Sequence, residues 1–297
     1  MKILLTGANG LLGQHLIKLL LEKNYTVIAT SKGPTRLPFS NNPLYSYLEL
    51  DITDGPQVNN MVLQHRPDAI IHCAAMTQVD DCEKNKIDCW NVNVTATRFL
   101  LDAAKEINAR FVFLSTDFVF DGLNGPYAED AEPNPVNYYG SSKWGAEKAV
   151  EESGLPWTII RTVLVTGNPL NGTRKNIITW VKDKLEKGEK IRMVDDQHRT
   201  PTFVEDLAAG IMLVLEKNAL GIYHISGKDS LTPYSIAIET ARLLKLNEDL
   251  IEKTDSPSLS HLALRPHRTG FVIKKAQSDL GYNPHSFSES LQKMFGN

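Results

Sequence analysis

The run Lys2-Ile3-Leu4-Leu5-Thr6, followed at once by Gly7-Ala8-Asn9-Gly10-Leu11-Leu12-Gly13 and then by helical periodicity to Lys23, constrains the fold more than any other part of the chain. A short apolar strand, regularly spaced glycines and an amphipathic helix form the context that a dinucleotide-phosphate loop needs. Glycines permit the tight turn and let backbone N–H groups approach a pyrophosphate at the positive end of the helix. The spacing is G-x-x-G-x-x-G rather than G-x-G-x-x-G, and a plain strand-to-helix turn is the alternative for this loop taken alone. Gly7, Asn9, Gly10, Leu11, Leu12 and Gly13 are the candidate cofactor residues of the loop.

The same alternation continues. Lys2 to Thr6, Thr26 to Thr30, Ala69 to His72, Arg110 to Ser115 and Thr158 to Arg161 read as strands, while Leu11 to Lys23, Gln57 to His65, Asn91 to Ile107 and Tyr138 to Glu152 carry helical periodicity. Strand, helix, strand repetition predicts an α/β protein with a Rossmann-like, doubly wound parallel sheet covered on both faces. After Arg161 the pattern loosens, with helices expected over Asn176 to Lys187 and Glu205 to Glu216, a short run Lys190 to Val194, and one more sheet strand at Tyr223 to Ser226. This predicts a smaller, discontinuous C-terminal substrate part. The dinucleotide-binding unit would take residues 1–162 plus about 203–228, and the substrate part about 163–202 plus 229–297.

Charge nearly balances, 32 basic against 35 acidic residues, and no long run of one sign favours nucleic acid or an anionic membrane as partner. The glycine loop interrupts the first apolar run, so neither a signal peptide nor a membrane span is expected. Three cysteines, Cys73, Cys82 and Cys89, form no CxxC and read as reduced thiols of a cytoplasmic protein, with Cys73 in the core. No group of His, Cys and carboxylates has zinc spacing, so no metal is expected. His15 reads as a surface residue and His72, at the end of a buried strand, as a satisfied core histidine.

Tyr139 and Lys143 stand four residues apart, hence on one face of a helix. A phenol is a poor acid at neutral pH. A lysine ammonium one turn away is expected to lower its pKa and make Tyr139 a general acid, while also reaching a cofactor ribose. At the end of the second strand no carboxylate stands where many NAD enzymes bind the ribose. Ser31, Lys32 and Arg36 occupy that region instead, and hydroxyls and cations favour NADP(H), with NAD(H) as the alternative and surface solvation as the bland reading of the two cations. Asp51 and Ile52 follow a further β-rich run and are placed to receive the adenine. Ala74, Ala75 and Met76 follow the Ala69 to His72 strand, where small residues let ribose and nicotinamide pass close to backbone.

Taken in order, the glycine loop, Asn93-Val94-Thr95-Ala96-Thr97, Ser115-Thr116-Asp117-Phe118-Val119-Phe120-Asp121-Gly122 and Tyr139 to Lys143 resemble the extended short-chain dehydrogenase/reductases. Within them the chain is similar to the dTDP-4-dehydrorhamnose reductases, on Tyr139 to Glu147, Arg161-Thr162, Asp196 to Thr202 and Arg265-Pro266. That resemblance implies an NADPH-dependent reduction of a nucleotide-activated 4-keto sugar. Thr116 would bind the substrate carbonyl, Tyr139 would donate the proton and Lys143 would hold the ribose. It further implies a cofactor-side role for Asn93, as support of a proton-relay water or as a structural helix residue, and substrate contacts from Thr77, Asp117, Val119, Asn176, His198 and Arg199. Trp144 would pack against a second subunit of a homodimer or into the core.

Where the family continues Arg-Thr with Ser-Trp, this chain has Val163-Leu164, which leaves another nucleotide sugar or another ketone open. An epimerase or dehydratase of the same superfamily is a competing reading, although Phe118 stands where dehydratases carry an acidic residue. A third is an NADP-binding regulatory protein resembling the beta subunit of methionine adenosyltransferase.

Overall fold

A computed structural model describes residues 1–172, 174–259 and 262–296. In chain order the strands are β1 Lys2–Thr6, β2 Thr26–Ser31, β3 Tyr45–Glu49, β4 Ala69–His72, β5 Arg110–Thr116, β6 Trp157–Thr162, β7 Val165–Thr166, β8 Ile191–Val194, β9 Thr202–Phe203, β10 Gly221–His224 and β11 Ile251–Thr254. The helices are α1 Leu11–Glu22, α2 Gly55–His65, α3 Val79–Lys84, α4 Lys86–Trp90, α5 Ala96–Ile107, α6 Tyr138–Glu151, α7 Ile177–Glu186, α8 Val204–Glu216, α9 Pro233–Leu244 and α10 Phe287–Phe295.

Seven strands form one sheet in the order β3-β2-β1-β4-β5-β6-β10, and every pairing in it is parallel. Side chains alternate across a strand, and here both faces are apolar. Ile3 and Leu5 of β1, Val27 and Ala29 of β2 and Ile160 of β6 pack with α1 and α8 on one face. Leu4, Ile70, Phe111, Phe113 and Ile159 pack with α2, α5 and α6 on the other. Helix α1 buries Leu12, Leu16, Ile17, Leu20 and Leu21, which lie along one stripe.

After β6 the chain leaves the sheet. It builds α7 and β8, returns through β9 and α8 to add β10 at the sheet edge, and leaves again into α9 and β11, with β8 and β11 pairing in parallel. Val181, Leu185, Ile191, Met193, Ala237, Ala241 and Ile251 form the core of this second region. The expected helix from Asn91 to Ile107 starts with a π-helical turn over Asn91–Thr95 that joins α4 to α5. No helix among the described residues is long and apolar enough to cross a membrane.

Candidate active site

The strand order reverses direction at β1 and β4, so a crevice opens beyond their carboxyl ends, where ligands of such sheets bind. Two glycines are sterically required there. Gly7 has φ +76°, and a Cβ on it would stand 2.8 Å from the Ala74 nitrogen; a Cβ on Gly13 would stand 2.4 Å from the Gly7 carbonyl oxygen. A cavity of about 420 Å³ follows, and the structure brings Gly7, Ser31, Lys32, Asp51, Ile52, Ala74 and Ala75 together in its lining. Thr30, Leu50, Thr53, Asp88, Asn91 and Val92 also line it and were not anticipated. Asp88 and Asn91 come from α4 and the π-helical turn, which only the tertiary fold brings to this place. A crevice of this size, floored by a backbone that tolerates no Cβ, fits the adenosine end of a dinucleotide.

Lys32 donates to Asp51 at 2.7 Å across the rim. That hydrogen bond, with those from Thr53, holds the Asp51 carboxyl at about 2. Asn9 is locked by accepting from the Arg36 amide and donating to the Pro34 carbonyl, both at 3.0 Å. Arg36 reaches the Gly172 carbonyl at 3.3 Å and is not part of the cavity lining. Leu11 is half-buried and Leu12 is turned into the core beneath α1, so the loop meets the crevice through its backbone. His15, expected at the surface, is half-buried and bonds the Asn168 carbonyl at 2.8 Å.

Thr116 ends β5, and Asn137 caps α6 by accepting from the Gly140 amide at 2.9 Å. This cap sets the start of the helix so that Tyr139, Lys143 and Glu147, spaced by four, all face inward. The Thr116 hydroxyl stands beside the Tyr139 phenol and acts to lower its pKa. Thr116 also donates to Asp117 Oδ1 at 3.1 Å.

The expectation that Lys143 depresses the Tyr139 pKa is not met. Burial, reinforced by the Asp117 charge, pushes the phenol above its ordinary value, against the opposing effect of Thr116. The Lys143 ammonium donates to the Leu114 carbonyl at 2.7 Å and sits 4.0 Å from the centre of the Phe113 ring. Burial brings Lys143 itself down to about 8, against the nearby Glu147 carboxylate. Behind it Arg161 and Glu147, 2 % and 1 % exposed, form a bidentate pair with contacts of 2.6, 3.0 and 3.2 Å.

The wall between the crevice and Tyr139 is held by Asn93. Its Oδ1 accepts from the Met76 amide at 2.8 Å, while its Nδ2 donates to the Met76 carbonyl at 3.0 Å and to Ser142 Oγ at 2.9 Å. Through these bonds the side chain ties Met76 to Ser142 of α6. His72 is buried between Thr6 at 2.7 Å and Thr97 at 3.1 Å, and burial pulls it down to about 3.

On the substrate side the structure redistributes several residues. The Val119 side chain is 0 % exposed and packs in the core, so the expected substrate contact is corrected; its backbone merely ends the turn after β5. Asn176 caps α7, accepting from the Ile178 and Thr179 amides, and its Nδ2 donates to the Gly167 carbonyl at 2.6 Å, so its side chain is already occupied. Arg199 is 4 % exposed and points inward, donating to the carbonyls of His198, Pro266 and His267 and lying 3.8 Å from Asp117 Oδ2. Asp117 also accepts from Thr269, and burial raises its pKa against the Arg199 charge. Arg199 and Asp117 thus tie the 266–269 strap to the end of β5. Thr77 is exposed, and His198 is half-buried with its amide bonded to the His267 carbonyl. Trp144 is half-buried against the core with Lys148 over its ring. No group of three metal-binding side chains occurs among the described residues.

Sheet order, glycine crevice and the Thr116, Tyr139 and Lys143 arrangement define an α/β nucleotide-binding protein of the extended short-chain dehydrogenase/reductase type. More narrowly, the chain belongs to the family described as RmlD substrate binding domain, whose model matches residues 1–297. It is 36 % identical over 274 residues to the dTDP-4-dehydrorhamnose reductase of Streptomyces griseus, covering 89 % of this chain and 83 % of that one. It is also 31 % identical over 284 residues to methionine adenosyltransferase 2 subunit beta of Rattus norvegicus, covering 93 % and 82 %. Among solved structures, dTDP-4-dehydrorhamnose reductase from Bacillus anthracis in complex with NADP superposes with a TM-score of 0.87 at 28 % identity, covering 99 % of this chain and 98 % of that one.

Proposed function

We propose that the chain is an NADPH-dependent reductase of a nucleotide-activated 4-keto sugar. The observation that carries this reading is the convergence of Thr116 at the end of β5 with Tyr139 and Lys143, one turn apart on the buried face of α6, beside a crevice floored by Gly7 and Ala74. The backbone N–H groups from Leu11 to Gly13 take the pyrophosphate at the start of α1. The cavity beyond β1 and β2 takes the adenosine, and Lys32 and Ser31 at its rim take the 2′-phosphate. The NADP bound by the Bacillus anthracis relative supports that preference.

The nicotinamide, when bound, supplies a hydride to the keto carbon. Thr116 and Tyr139 hold the keto oxygen between two hydroxyl donors, which stabilise it as it gains alkoxide character. Burial keeps the Tyr139 phenol protonated until that moment, and the phenol then gives up its proton. Lys143, cationic below about 8, holds the ribose and supplies positive charge near the phenolate that results. Thr77 and His198 contact the sugar, and Asp117 behind them holds Thr116 and the 266–269 strap in place. In this reading residues 1–162 with about 203–228 bind the cofactor and the remainder binds the sugar nucleotide. Exposed Ile87 and Trp90 on α4 support pairing of two copies.

The test is oxidation of NADPH and NADH, followed at the nicotinamide absorbance, with a panel of keto sugars headed by dTDP-4-dehydrorhamnose. Turnover with at least about tenfold preference for NADPH, roughly 1.4 kcal/mol of discrimination, is expected; equal rates with NADH remove the cofactor assignment. A second reading, a cofactor-binding regulatory subunit, is favoured by the similarity to methionine adenosyltransferase 2 subunit beta. Tight NADP(H) binding with no turnover across the panel would select it.

A further inference from the structure

Two cysteines on different short helices meet in the wall behind Tyr139. Cys82 of α3 and Cys89 of α4 are both 0 % exposed and pack with Tyr139 in one small cluster bounded by Met76, Val79 and Phe118. Cys82 also donates to the Met76 carbonyl at 3.5 Å. Cys89 donates to Ser142 Oγ at 3.3 Å and accepts from the Asn93 amide at 3.5 Å. The neighbouring Cys82 is the largest influence holding the Cys89 thiol below its ordinary range, helped by Ser142, the Lys143 charge and Asn93 against the effect of burial. Cys73 is the contrast, a thiol pushed up to about 12 by desolvation.

We infer that Cys82 and Cys89 are an oxidisable dithiol that peroxide closes to a disulfide, reversibly lowering activity through the wall that positions Tyr139. The chemistry needs only hydrogen peroxide as oxidant. The Cys89 thiolate attacks one peroxide oxygen, the O–O bond breaks, and the departing hydroxide takes up the proton that Cys89 shed; Cys89 becomes a sulfenic acid. The Cys82 sulfur then attacks the Cys89 sulfur, the S–O bond breaks, and the leaving hydroxyl takes the Cys82 proton as water. Two thiols and one peroxide give one disulfide and two waters.

Access comes from the brevity of the helices that carry the pair. Helix α3 has 6 residues and α4 has 5, joined at Asn85, whose φ of −120° and ψ of 61° are not helical. Neither helix is long enough to be stable alone, so this segment opens locally and admits an oxidant hardly larger than water. Closing the disulfide removes the thiol proton donated to Ser142 and weakens an acceptor of Asn93, the residue that holds Met76. It also draws α3 and α4 together against the Tyr139 ring.

The experiment treats the full chain with hydrogen peroxide, removes the excess with catalase, alkylates free thiols after denaturation and digests with trypsin. Cleavage at Lys84 and Lys86 separates the two cysteines, so the disulfide is read as a cross-linked peptide pair. Expected are a Cys82–Cys89 cross-link, alkylation confined to Cys73, and reversal by dithiothreitol. Alkylation of all three cysteines, preferential oxidation of Cys73, or sulfinic acid without a cross-link would overturn the site. Cys82→Ala and Cys89→Ala should each abolish the cross-link, and formation of a Cys73 cross-link in them would also count against it.

The effect on activity rests on the reductase reading. Keto-sugar turnover should fall at least about tenfold on oxidation and return with dithiothreitol, and a cross-linked protein with undiminished turnover would refute the switch. Absence of turnover in the reduced protein would count against the reductase reading and leave the cross-link as the test of the dithiol.

Discussion

Glu147→Gln is the most informative single change, because that carboxylate serves two buried cations at once. It pairs with Arg161 through three contacts at 2 % and 1 % exposure, and it is the largest influence sustaining the charge of Lys143 against burial. Glutamine keeps the shape but removes the charge. Breaking one partner of a buried pair leaves the other uncompensated, at about 3–5 kcal/mol. Arg161 Nη1 already has no hydrogen-bond partner among the described residues, so the guanidinium has little to fall back on. A chain of 297 residues has an unfolding entropy of roughly 0.6 kcal/mol per kelvin, so the midpoint should drop by about 5–8 °C.

The same change should move the alkaline limb of the keto-sugar turnover profile. Lys143 loses its proton near 8 in the native protein, and without Glu147 it does so at lower pH, so turnover begins to fall earlier as pH rises. Calorimetry and the pH profile of turnover read the two effects separately. A midpoint shift below about 2 °C would refute the uncompensated-charge argument, and an unmoved alkaline limb would detach Glu147 from Lys143. Replacing both members, Glu147→Leu with Arg161→Met, should recover most of the lost stability, since a well-packed apolar pair can match a buried ion pair.

Tyr139→Phe should lower turnover by about 10²-fold or more with NADPH affinity nearly unchanged, because the phenol acts as general acid; near-normal turnover removes it from the mechanism. Gly13→Ala would force a Cβ to 2.4 Å from the Gly7 carbonyl and 2.8 Å from the Ala8 Cα, both backbone atoms, and should weaken NADPH binding at least about tenfold with a stability loss of about 1–3 kcal/mol. Gly172→Ala, which meets nothing within 4 Å, is its control, and equal behaviour of the two would defeat the crevice argument. His72 and His224 are held neutral by burial down to about 3. Their unfolded forms take up protons near 6.5, so the stability they confer is complete above that pH and declines as pH falls toward 3, by about 2 kcal/mol for each histidine between pH 6.5 and 5. A urea midpoint that stays level from pH 7 to pH 5 would show that they titrate in the folded state.

Much of the sheet was legible because its signals are local. β1 and β4 occur where their apolar runs stand, α1 begins after Gly10, and Tyr138–Glu151 forms the helix that its periodicity announced. Helices α3 and α4 were not anticipated, since elements of 6 and 5 residues are too short to display a period. For the same reason Asp88 of α4 was missing from the expected cavity lining. Val119 and Arg199 lie in motifs that the family resemblance marked for substrate, yet the side chain of one fills the core and that of the other binds carbonyls inside the protein. No property of either motif read in one dimension states which way a side chain turns.

By itself the sequence determined the parallel α/β sheet, the position of the crevice, and the sharing of one helix face by Tyr139 and Lys143. These follow from glycine conformational freedom and from periods of 2.0 and 3.6 residues, which depend only on near neighbours along the chain. The tertiary structure alone decided the electrostatic character of the site: the raised phenol of Tyr139, the lysine turned to Leu114, the Arg161–Glu147 pair behind it and the packing of Cys82 and Cys89 into one cluster. Those properties arise from desolvation and from partners distant in sequence, and they come into being only when the chain is packed.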